Sequence, residues 1–277
     1  MKILKKTETT ITYQLTKDEL KGFLLKHAFI KSTKPYTLYF YEDKEKAVTI
    51  YSTLKVVYAY KTKIVNKEQV TTNDKIILGT DEVGTGDVFG GIMFGLMKIY
   101  PKDYEKLKSL KLTDSKKLDD ETIMKLGKIL EEDFFVRSLY ISPTKYNKLH
   151  DSFNLNELKA LSHNKLIHDY GSDAEEIIVD AFCSLDNYKK YLNGNQSFPE
   201  KTRWLTKAET KSIAVAGASI YARYAWLKEF EKLEREFNLK LPKGSGALVD
   251  SEITKLRETG FKDFSKISKL HFKNFKK

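Results

Sequence analysis

The stretch Ile76-Ile77-Leu78-Gly79-Thr80-Asp81-Glu82-Val83-Gly84-Thr85-Gly86-Asp87 decides how the rest of the chain is interpreted. Its apolar, β-branched beginning predicts a buried strand. Asp81 and Glu82 follow, and the alternation of side chains along a strand would point them to opposite faces. Only a break at the strand end would let both converge on one ion. Gly84 and Gly86 favour such a break, because glycine reaches backbone conformations closed to other residues. From spacing alone, an acidic turn after a core strand is an equally good interpretation.

The glycines of this stretch also remove side chains that would keep a phosphate or a sugar away from the backbone N–H groups. A nucleotide-binding P-loop is excluded, because no Gly-Lys-Ser/Thr follows the glycines. The loop therefore predicts backbone contact with a ligand rather than a known phosphate-binding motif.

Composition describes a globular protein of 277 residues, with 41% hydrophobic and 31% charged residues, long enough for one large domain or two smaller ones. No apolar run approaches the roughly 18–20 residues that span a bilayer. The start, Met1-Lys2-Ile3-Leu4-Lys5-Lys6, lacks the apolar core of a signal peptide. The single cysteine, Cys183, excludes an internal disulfide and a multi-cysteine zinc site. We expect a cytoplasmic protein that does not contact membranes.

Positive charge is concentrated at the two ends of the chain, whose formal net charge is +11. Residues 1–70 contain 14 lysines against 7 acidic residues, and residues 262–277 contain 6 lysines against 1 aspartate. The middle of the chain is almost neutral. Basic ends around a carboxylate-bearing centre suit a protein that binds a polyanion and acts on it through cations. A lysine-rich surface without such a role is the alternative.

The first 60 residues form a self-contained pattern. Thr9–Leu15 alternates as a strand does, and Thr16-Lys17-Asp18-Glu19 is a capping box that predicts a helix to about His27. Three β-rich stretches follow, at Tyr36–Tyr41, Ala47–Thr53 and Lys55–Tyr60. We therefore expect a small α+β domain over residues 1–62, a polar linker over 63–74, and a second domain over 75–277 that ends in a basic tail.

From Lys75 the chain alternates between strand and helix patterns, which predicts an α/β domain with a mixed sheet. Strands are predicted from Ile76 to the Asp81-Glu82 pair and at Phe134–Ile141, Glu176–Asp180 and Trp204–Thr206, and Val88–Ile99 is either one long strand or a hairpin. Helices are predicted at Asp120–Glu131, Thr144–His150, Leu155–Tyr170 and Thr210–Glu236.

Four acidic residues fall at positions where α/β proteins gather functional groups. Asp81 and Glu82 end one predicted strand, Asp180 ends another, and Glu209 stands at the start of the long helix. Four acids brought together would repel one another unless divalent cations neutralised them, and Mg²⁺ prefers oxygen ligands. Two such ions can activate a water and stabilise the leaving oxygen of a phosphodiester. Each acid alone is more often an ordinary surface carboxylate, and His163, on a predicted helix, is more often a packing residue than a ligand.

At these residues the sequence resembles the type 2 ribonuclease H family, and within it the ribonuclease HIII branch. The resemblance extends over nearly the whole chain, and the order and joint presence of its blocks make it specific. The blocks are Asp81–Asp87, Asp114–Leu118, Asn154–Asn164, Val179–Asp180, Lys207–Ser212 with Ala218–Arg223, and Lys269–Asn274. One departure is Gly90-Gly91, where the family is expected to carry Gly-Pro.

The resemblance implies a ribonuclease H-like catalytic domain with a mixed sheet and flanking helices. It also implies a small amino-terminal domain resembling the TATA-binding protein fold, used to hold the substrate. The implied activity is endonucleolytic cleavage of RNA in RNA–DNA hybrids by a monomer, with Mg²⁺ or Mn²⁺ and products ending in 5′-phosphate and 3′-hydroxyl. The four family acids, which would hold two ions, match Asp81, Glu82, Asp180 and Glu209.

Substrate contacts are expected from the glycine loop and from two lysines. Thr85, between Gly84 and Gly86, is the residue we expect to touch the ribose, because an enzyme that separates RNA from DNA must sense the 2′-hydroxyl. Lys116 and Lys207 are candidates for phosphate contacts, with ordinary surface lysines an equal alternative. Asp114 is interpreted as a cap for the following helix.

Two other functions stay open from the sequence. The first is a ribonuclease HII-like incision at single ribonucleotides in duplex DNA, against which the replacement of an arginine by Thr85 argues. The second is a nucleic-acid-binding protein without catalysis, which the basic ends alone would support.

Overall fold

The structure is a computed structural model that describes residues 2–7, 9–25, 29–43, 46–60, 74–112, 115–192 and 199–276. The chain divides into two compact units, residues 1–70 and residues 71–277. Most of the predicted linker lies outside the described residues, as does Asp114. In the part that is described, no helix is long and apolar enough to cross a lipid bilayer.

The first unit is an antiparallel sheet with one described helix. Its elements are β1 (Lys2–Lys6), β2 (Thr10–Gln14), α1 (Lys17–Leu24), β3 (Ile30–Lys31), β4 (Thr37–Glu42), β5 (Lys46–Tyr51) and β6 (Lys55–Tyr60). The strand order is β1-β2-β6-β5-β4-β3. The predicted capping box is confirmed, because Thr16 and Glu19 each bond the other's backbone N–H. Phe23 of α1 packs on Val48, Ile50 and Val56, so the helix covers one face of the sheet.

The second unit is built on a mixed five-stranded sheet with the order β11-β10-β7-β8-β9. Its strands are β7 (Ile77–Val83), β8 (Ile92–Ile99), β9 (Phe135–Ile141), β10 (Glu176–Asp180) and β11 (Thr202–Leu205). β7, β8 and β9 are antiparallel neighbours, whereas β10 runs parallel to β7 and to β11. The predicted mixed sheet is therefore confirmed.

Helices surround this sheet on both faces. They are α2 (Tyr104–Ser109), α3 (Asp120–Asp133), α4 (Pro143–His150), α5 (Leu155–Tyr170), α6 (Leu185–Tyr191), α7 (Ile213–Phe237), α8 (Ala247–Glu258) and α9 (Phe264–Ile267). The basic carboxyl-terminal stretch is folded into the unit, since Ile267 and Lys269 are fully buried.

Alternate residues of the central strands feed two separate cores. Ile77 belongs to the core that contains α7, whereas Leu78 belongs to the core that contains α5. α7 can lie close to the sheet because Gly79 has no side chain, and a Cβ there would stand 2.4 Å from the backbone of Ala214. Because side chains alternate along β7, each side chain at its end points either towards α7 or towards α5. These two sides of the sheet are called the α7 face and the α5 face.

Two predicted elements differ from the structure. Val88–Ile99 is neither one long strand nor a hairpin, because the strand begins only at Ile92. Val88 and Gly90 instead bond backbone groups of the carboxyl-terminal half, at Gly244 and Ile267. The long helix begins at Ile213 rather than Thr210, with Ser212 as its cap. Glu209 consequently lies in a separate 3₁₀ turn, Ala208–Thr210.

Candidate active site

β7 passes through both carboxylates of the central stretch before it ends. Its last residue is Val83, and the backbone then turns at Gly84, whose φ is +92°. Asp81 and Glu82 therefore point to opposite faces of the sheet, Asp81 towards α7 and Glu82 towards α5. The break that was expected to make the pair converge comes too late in the chain, so that part of the prediction is wrong for the arrangement in the structure.

Asp81 is held on the α7 face by two hydrogen bonds. Ser219 of α7 bonds its carboxylate, and the backbone N–H of Glu82 donates to its Oδ1 at 2.8 Å. Ser219 in turn lies 2.8 Å, oxygen to oxygen, from the buried hydroxyl of Ser115. Arg223, one turn further along α7, donates to the carbonyl of Ser115. The loop that carries Lys116 is thus tied to the helix that holds Asp81.

Asp180 lies beside Asp81 on the same face. β10 pairs with β7 in parallel, with Val179 opposite Thr80, so the next residues on the two strands are level with each other. The backbone N–H of Ala208 donates to Oδ1 of Asp180 at 2.9 Å. This bond draws the 3₁₀ turn that carries Glu209 onto the end of β10. Lys207, just before it, adopts the left-handed conformation with φ 53°.

The α7 face concentrates negative charge that is poorly solvated. Burial and, after it, the neighbouring charges of Glu82 and Asp180 raise the pKa of Asp81 to about 7, against the opposing effect of its hydrogen bonds. In the described ranges, no ion pair from a lysine or arginine reaches Asp81. Two carboxylates this close, with no lysine or arginine of the described residues paired to Asp81, are the kind of arrangement that a bound cation stabilises.

Glu82, in contrast, is neutralised within the protein. Lys159 of α5 places its Nζ 2.5 Å from Oε1, and His163, one turn later, places its Nε2 2.8 Å from Oε2. Burial alone would raise the pKa of Glu82. The hydrogen bond and charge of His163, together with the charge of Lys159, overcome that effect and lower the pKa to about 2.

Aromatic rings enclose this ion pair. Phe94 meets the ring of His163 edge-on with centroids 5.1 Å apart, and Phe182 stacks on its other side at 5.7 Å. The Nζ of Lys159 also lies 4.1 Å from the centroid of Phe182. The side chains of Glu82 and His163 are only 13% and 1% exposed, so the pair is shielded from solvent.

The glycine loop after β7 presents its outer residues to solvent. Gly84 is buried, and a Cβ on it would stand 2.4 Å from the carbonyl oxygen of Gly91 and 2.5 Å from Nε1 of Trp226. Thr85 is half-buried and Gly86 is exposed. Asp87 fixes the far end of the loop by accepting the N–H of Gly244 at 2.6 Å.

The remaining candidates divide clearly. Lys116 and Lys207 are both exposed residues. Sequence reasoning missed Ser219 and Lys159, and it assigned His163 to packing. The spacing of Lys159 and His163, four residues apart on one predicted helix, was the available signal, because such residues share a helix face.

The acidic side chains supply hard oxygen donors of the type that Mg²⁺ and Mn²⁺ prefer. Within the described residues, no three histidine, cysteine, aspartate or glutamate side chains already stand in an arrangement that could hold a metal ion. Asp81 and Asp180 come together on one face, Glu209 lies next to the residue that bonds Asp180, and Glu82 is turned away. A mixed sheet with acidic residues at neighbouring strand ends is the arrangement that the resemblance to ribonuclease H-like proteins leads us to expect.

Comparison with known proteins identifies the family. A profile of the family described as Ribonuclease HII matches residues 78–275. Ribonuclease HIII of Streptococcus pneumoniae strain CGSP14 is 33% identical over 97% of this chain and 98% of its own length. The solved structure of Bst-RNase HIII in complex with Mn²⁺ matches with a TM-score of 0.70 and 28% identity, covering 97% of each chain. Aquifex aeolicus RNase H3 matches with a TM-score of 0.60 and 29% identity, covering 94% of this chain and 99% of its own.

The chain belongs to the ribonuclease HII family, and the resemblance to ribonuclease HIII seen in the sequence is confirmed. It is a nuclease of the ribonuclease H type, from a family that acts on RNA–DNA hybrids.

Proposed function

We propose that this protein cleaves the RNA strand of RNA–DNA hybrids by phosphodiester hydrolysis with two divalent ions, Mg²⁺ or Mn²⁺. The products would carry 5′-phosphate and 3′-hydroxyl ends. The observation that carries the proposal is the placement of Asp81 and Asp180 level with each other on adjacent parallel strands, both on the α7 face.

Asp81 and Asp180 fit a divalent cation. Their donors are carboxylate oxygens, and the raised pKa of Asp81, caused first by burial and then by its acidic neighbours, supports a site that a divalent cation would stabilise. Glu209 fits by position, because it follows Ala208, whose N–H bonds Asp180. Glu82 fits only after its side chain leaves Lys159 and His163. The Mn²⁺ bound by Bst-RNase HIII supports the same class of cation.

Bound ions would activate the attacking water and stabilise the leaving oxygen, as paired divalent ions do in other nucleases. The chain's own residues orient the groups that take part. Ser219 and the N–H of Glu82 fix the carboxylate of Asp81, and the N–H of Ala208 fixes that of Asp180. These contacts favour one orientation of each acid before substrate arrives, which is how a site avoids reorganising during the reaction.

The loop Gly84–Gly86 is the candidate for recognition of the ribose. It begins three residues after Asp81, at the end of β7, and its outer part reaches solvent at Thr85 and Gly86. Backbone N–H and C=O groups can bond a 2′-hydroxyl without reading the base sequence. Lys116 and Lys207 are exposed and would neutralise phosphates, so binding would weaken steeply as salt increases.

The amino-terminal unit is proposed to hold the hybrid. Residues 1–70 carry twice as many lysines as acidic residues, 14 against 7. Removing them should lower hybrid affinity by about tenfold or more. Cleavage should survive at high enzyme concentration, because the proposed ligands all lie in the second unit. Unchanged affinity at low salt would contradict this role.

The decisive experiment compares two labelled substrates, a continuous RNA–DNA hybrid and a DNA duplex with one embedded ribonucleotide. With Mg²⁺ or Mn²⁺ we expect cuts throughout the RNA of the hybrid and 5′-phosphates on the products. With excess EDTA we expect no cleavage. Preferential incision of the second substrate would assign the alternative, ribonuclease HII-like specificity. Binding without cleavage in either metal would contradict the proposed function.

A further inference from the structure

We infer that Lys159 competes with a divalent cation for the carboxylate of Glu82, so that this lysine sets how tightly the site binds metal. The inference rests on the proposed function, in which Glu82 is one of the metal ligands. Lys159 is a positioning residue, because it acts on the reaction through Glu82.

The first observation is that both oxygens of Glu82 are already engaged. Lys159 bonds Oε1 at 2.5 Å, and His163 bonds Oε2 at 2.8 Å. Lys159 is only 8% exposed. Its ammonium therefore has little water around it and depends on the carboxylate for its countercharge.

The second observation is the direction in which Glu82 points. Its carboxylate lies on the α5 face of β7, whereas Asp81 and Asp180 lie on the α7 face. Ligand oxygens stand about 2.0–2.6 Å from Mg²⁺ or Ca²⁺. One ion bound by Asp81 and Glu82 therefore requires the Glu82 carboxylate to move around the strand end. That movement breaks at least the contact with Lys159.

The third observation is that the ammonium group of Lys159 has a second interaction partner. Its Nζ lies 4.1 Å from the ring centroid of Phe182, within the range of cation–π attraction. Releasing Glu82 therefore does not leave the ammonium without any partner. Repulsion between Lys159 and an arriving divalent cation still weakens metal binding and adds to the competition, because both are positive and the site is shielded from water.

The experiment measures Mn²⁺ binding to the full chain without substrate, by electron paramagnetic resonance of free Mn²⁺. Four proteins make up a double-mutant cycle: wild type, Lys159→Met, Glu82→Gln and the variant with both substitutions. Methionine is unbranched and replaces the apolar stem of lysine without its ammonium group. We expect Lys159→Met to bind Mn²⁺ about tenfold more tightly, within the usual range of coupling between two ligands. The gain should disappear when Glu82 is also replaced.

Two matched variants separate charge from contact. Lys159→Arg keeps the positive charge and should bind Mn²⁺ as the wild type does. Lys165→Met removes one lysine from the same helix, where its side chain is 54% exposed and pairs with Asp169, and it should leave Mn²⁺ affinity unchanged. Thermal unfolding confirms that each variant is folded, and Lys159→Gln replaces the methionine variant if that one is not.

The outcomes distinguish this inference from the proposed function. If Glu82→Gln weakens Mn²⁺ binding and Lys159→Met does not tighten it, the inferred competition is contradicted, whereas the proposed metal site is retained. If Lys159→Met weakens binding, the lysine only orients the carboxylate, and the inference is overturned. If Glu82→Gln has no effect while Asp81→Asn does, Glu82 is not a ligand, and both the inference and that part of the proposed site fail.

Discussion

The two faces of strand β7 carry neighbouring carboxylates in opposite electrostatic settings. On the α5 face, Glu82 is paired with Lys159 and His163, and these contacts lower its pKa to about 2. On the α7 face, Asp81 lies beside Asp180, and burial raises its pKa to about 7. Glu82 is paired with cationic side chains of the protein, whereas no lysine or arginine of the described residues forms an ion pair with Asp81. We therefore expect metal binding to centre on the α7 face, and we expect Glu82 to become a ligand only after its side chain leaves Lys159 and His163.

The largest expected effect concerns catalysis on the α7 face. Asp81→Asn removes a charged oxygen donor while keeping the side chain's shape, so cleavage of a hybrid in Mg²⁺ should fall by about 10³-fold or more. Hybrid binding, measured by fluorescence anisotropy, should stay close to that of the wild type. The matched control is Asp186→Asn, an exposed aspartate on α6. A wild-type cleavage rate for Asp81→Asn would show that the site is misassigned.

The second prediction compares how one substitution on each face changes the free energy of unfolding of the protein, measured in EDTA at pH 8. Glu82→Gln leaves Lys159 buried without its carboxylate, so the free energy of unfolding should fall by about 3 kcal/mol. Asp81→Asn instead removes a buried charge that repels its neighbours, and it should unfold at the same or a higher urea concentration. Equal destabilisation by the two substitutions would mean that the faces do not differ as described.

The third prediction concerns the turn that ends β7 after both carboxylates. Gly84→Ala should lower the free energy of unfolding by about 2 kcal/mol, because its φ is positive and a Cβ would collide with Gly91 and Trp226. Gly86 has no neighbour within 4 Å of the same position. Gly86→Ala should therefore change stability by no more than about 0.5 kcal/mol in the same urea titration. Similar losses in both variants would contradict the described turn.

The smallest effect, taken per unit of pH, is a difference in pH dependence, again measured in EDTA. The pKa of Asp81 rises from 3.8 when unfolded to about 7 when folded, so the folded state binds more protons between these values. The contribution of Asp81 to the free energy of unfolding therefore decreases as pH rises from about 4 to 7. The stability of the wild type relative to Asp81→Asn should fall by up to about 1 kcal/mol per pH unit there.

Glu82 should behave in the opposite way. Its folded pKa of about 2 lies below the ordinary 4.5, so its contribution is present above pH 4.5 and is lost as pH falls towards 2. The stability of the wild type relative to Glu82→Gln should consequently decrease on acidification. Two variants with the same pH profile would contradict the contrast between the faces.

Local signals in the sequence located much of the fold. The predicted bounds of β10 and α5 are those observed, because an apolar run between polar residues defines the strand and Asn154 caps the helix. β1 and β3 were not predicted, since they are short, polar and stabilised by pairing with strands elsewhere in the chain. The late start of α7 depends on the left-handed backbone of Lys207, which propensity does not reveal.

The candidate site was predictable only in part. The strand ends that carry Asp81 and Asp180 follow from local pattern, and parallel pairing then brings them level. The orientation of Glu82 was left open, because it depended on whether β7 ended before or after Val83. The spacing of Lys159 and His163 places both on one face of a helix, but it does not show that this face meets Glu82 on a strand far away in the sequence. The resemblance to the family supplied the set of acids, whereas the structure supplied the division between the two faces.

The most direct test of the central claim is to locate Mn²⁺ in a crystal of the full chain by anomalous scattering. The account predicts an ion within about 2.0–2.6 Å of carboxylate oxygens of both Asp81 and Asp180. Bound Mn²⁺ that leaves these two aspartates uncoordinated, in crystals of protein that cleaves hybrid with the same metal, would contradict it.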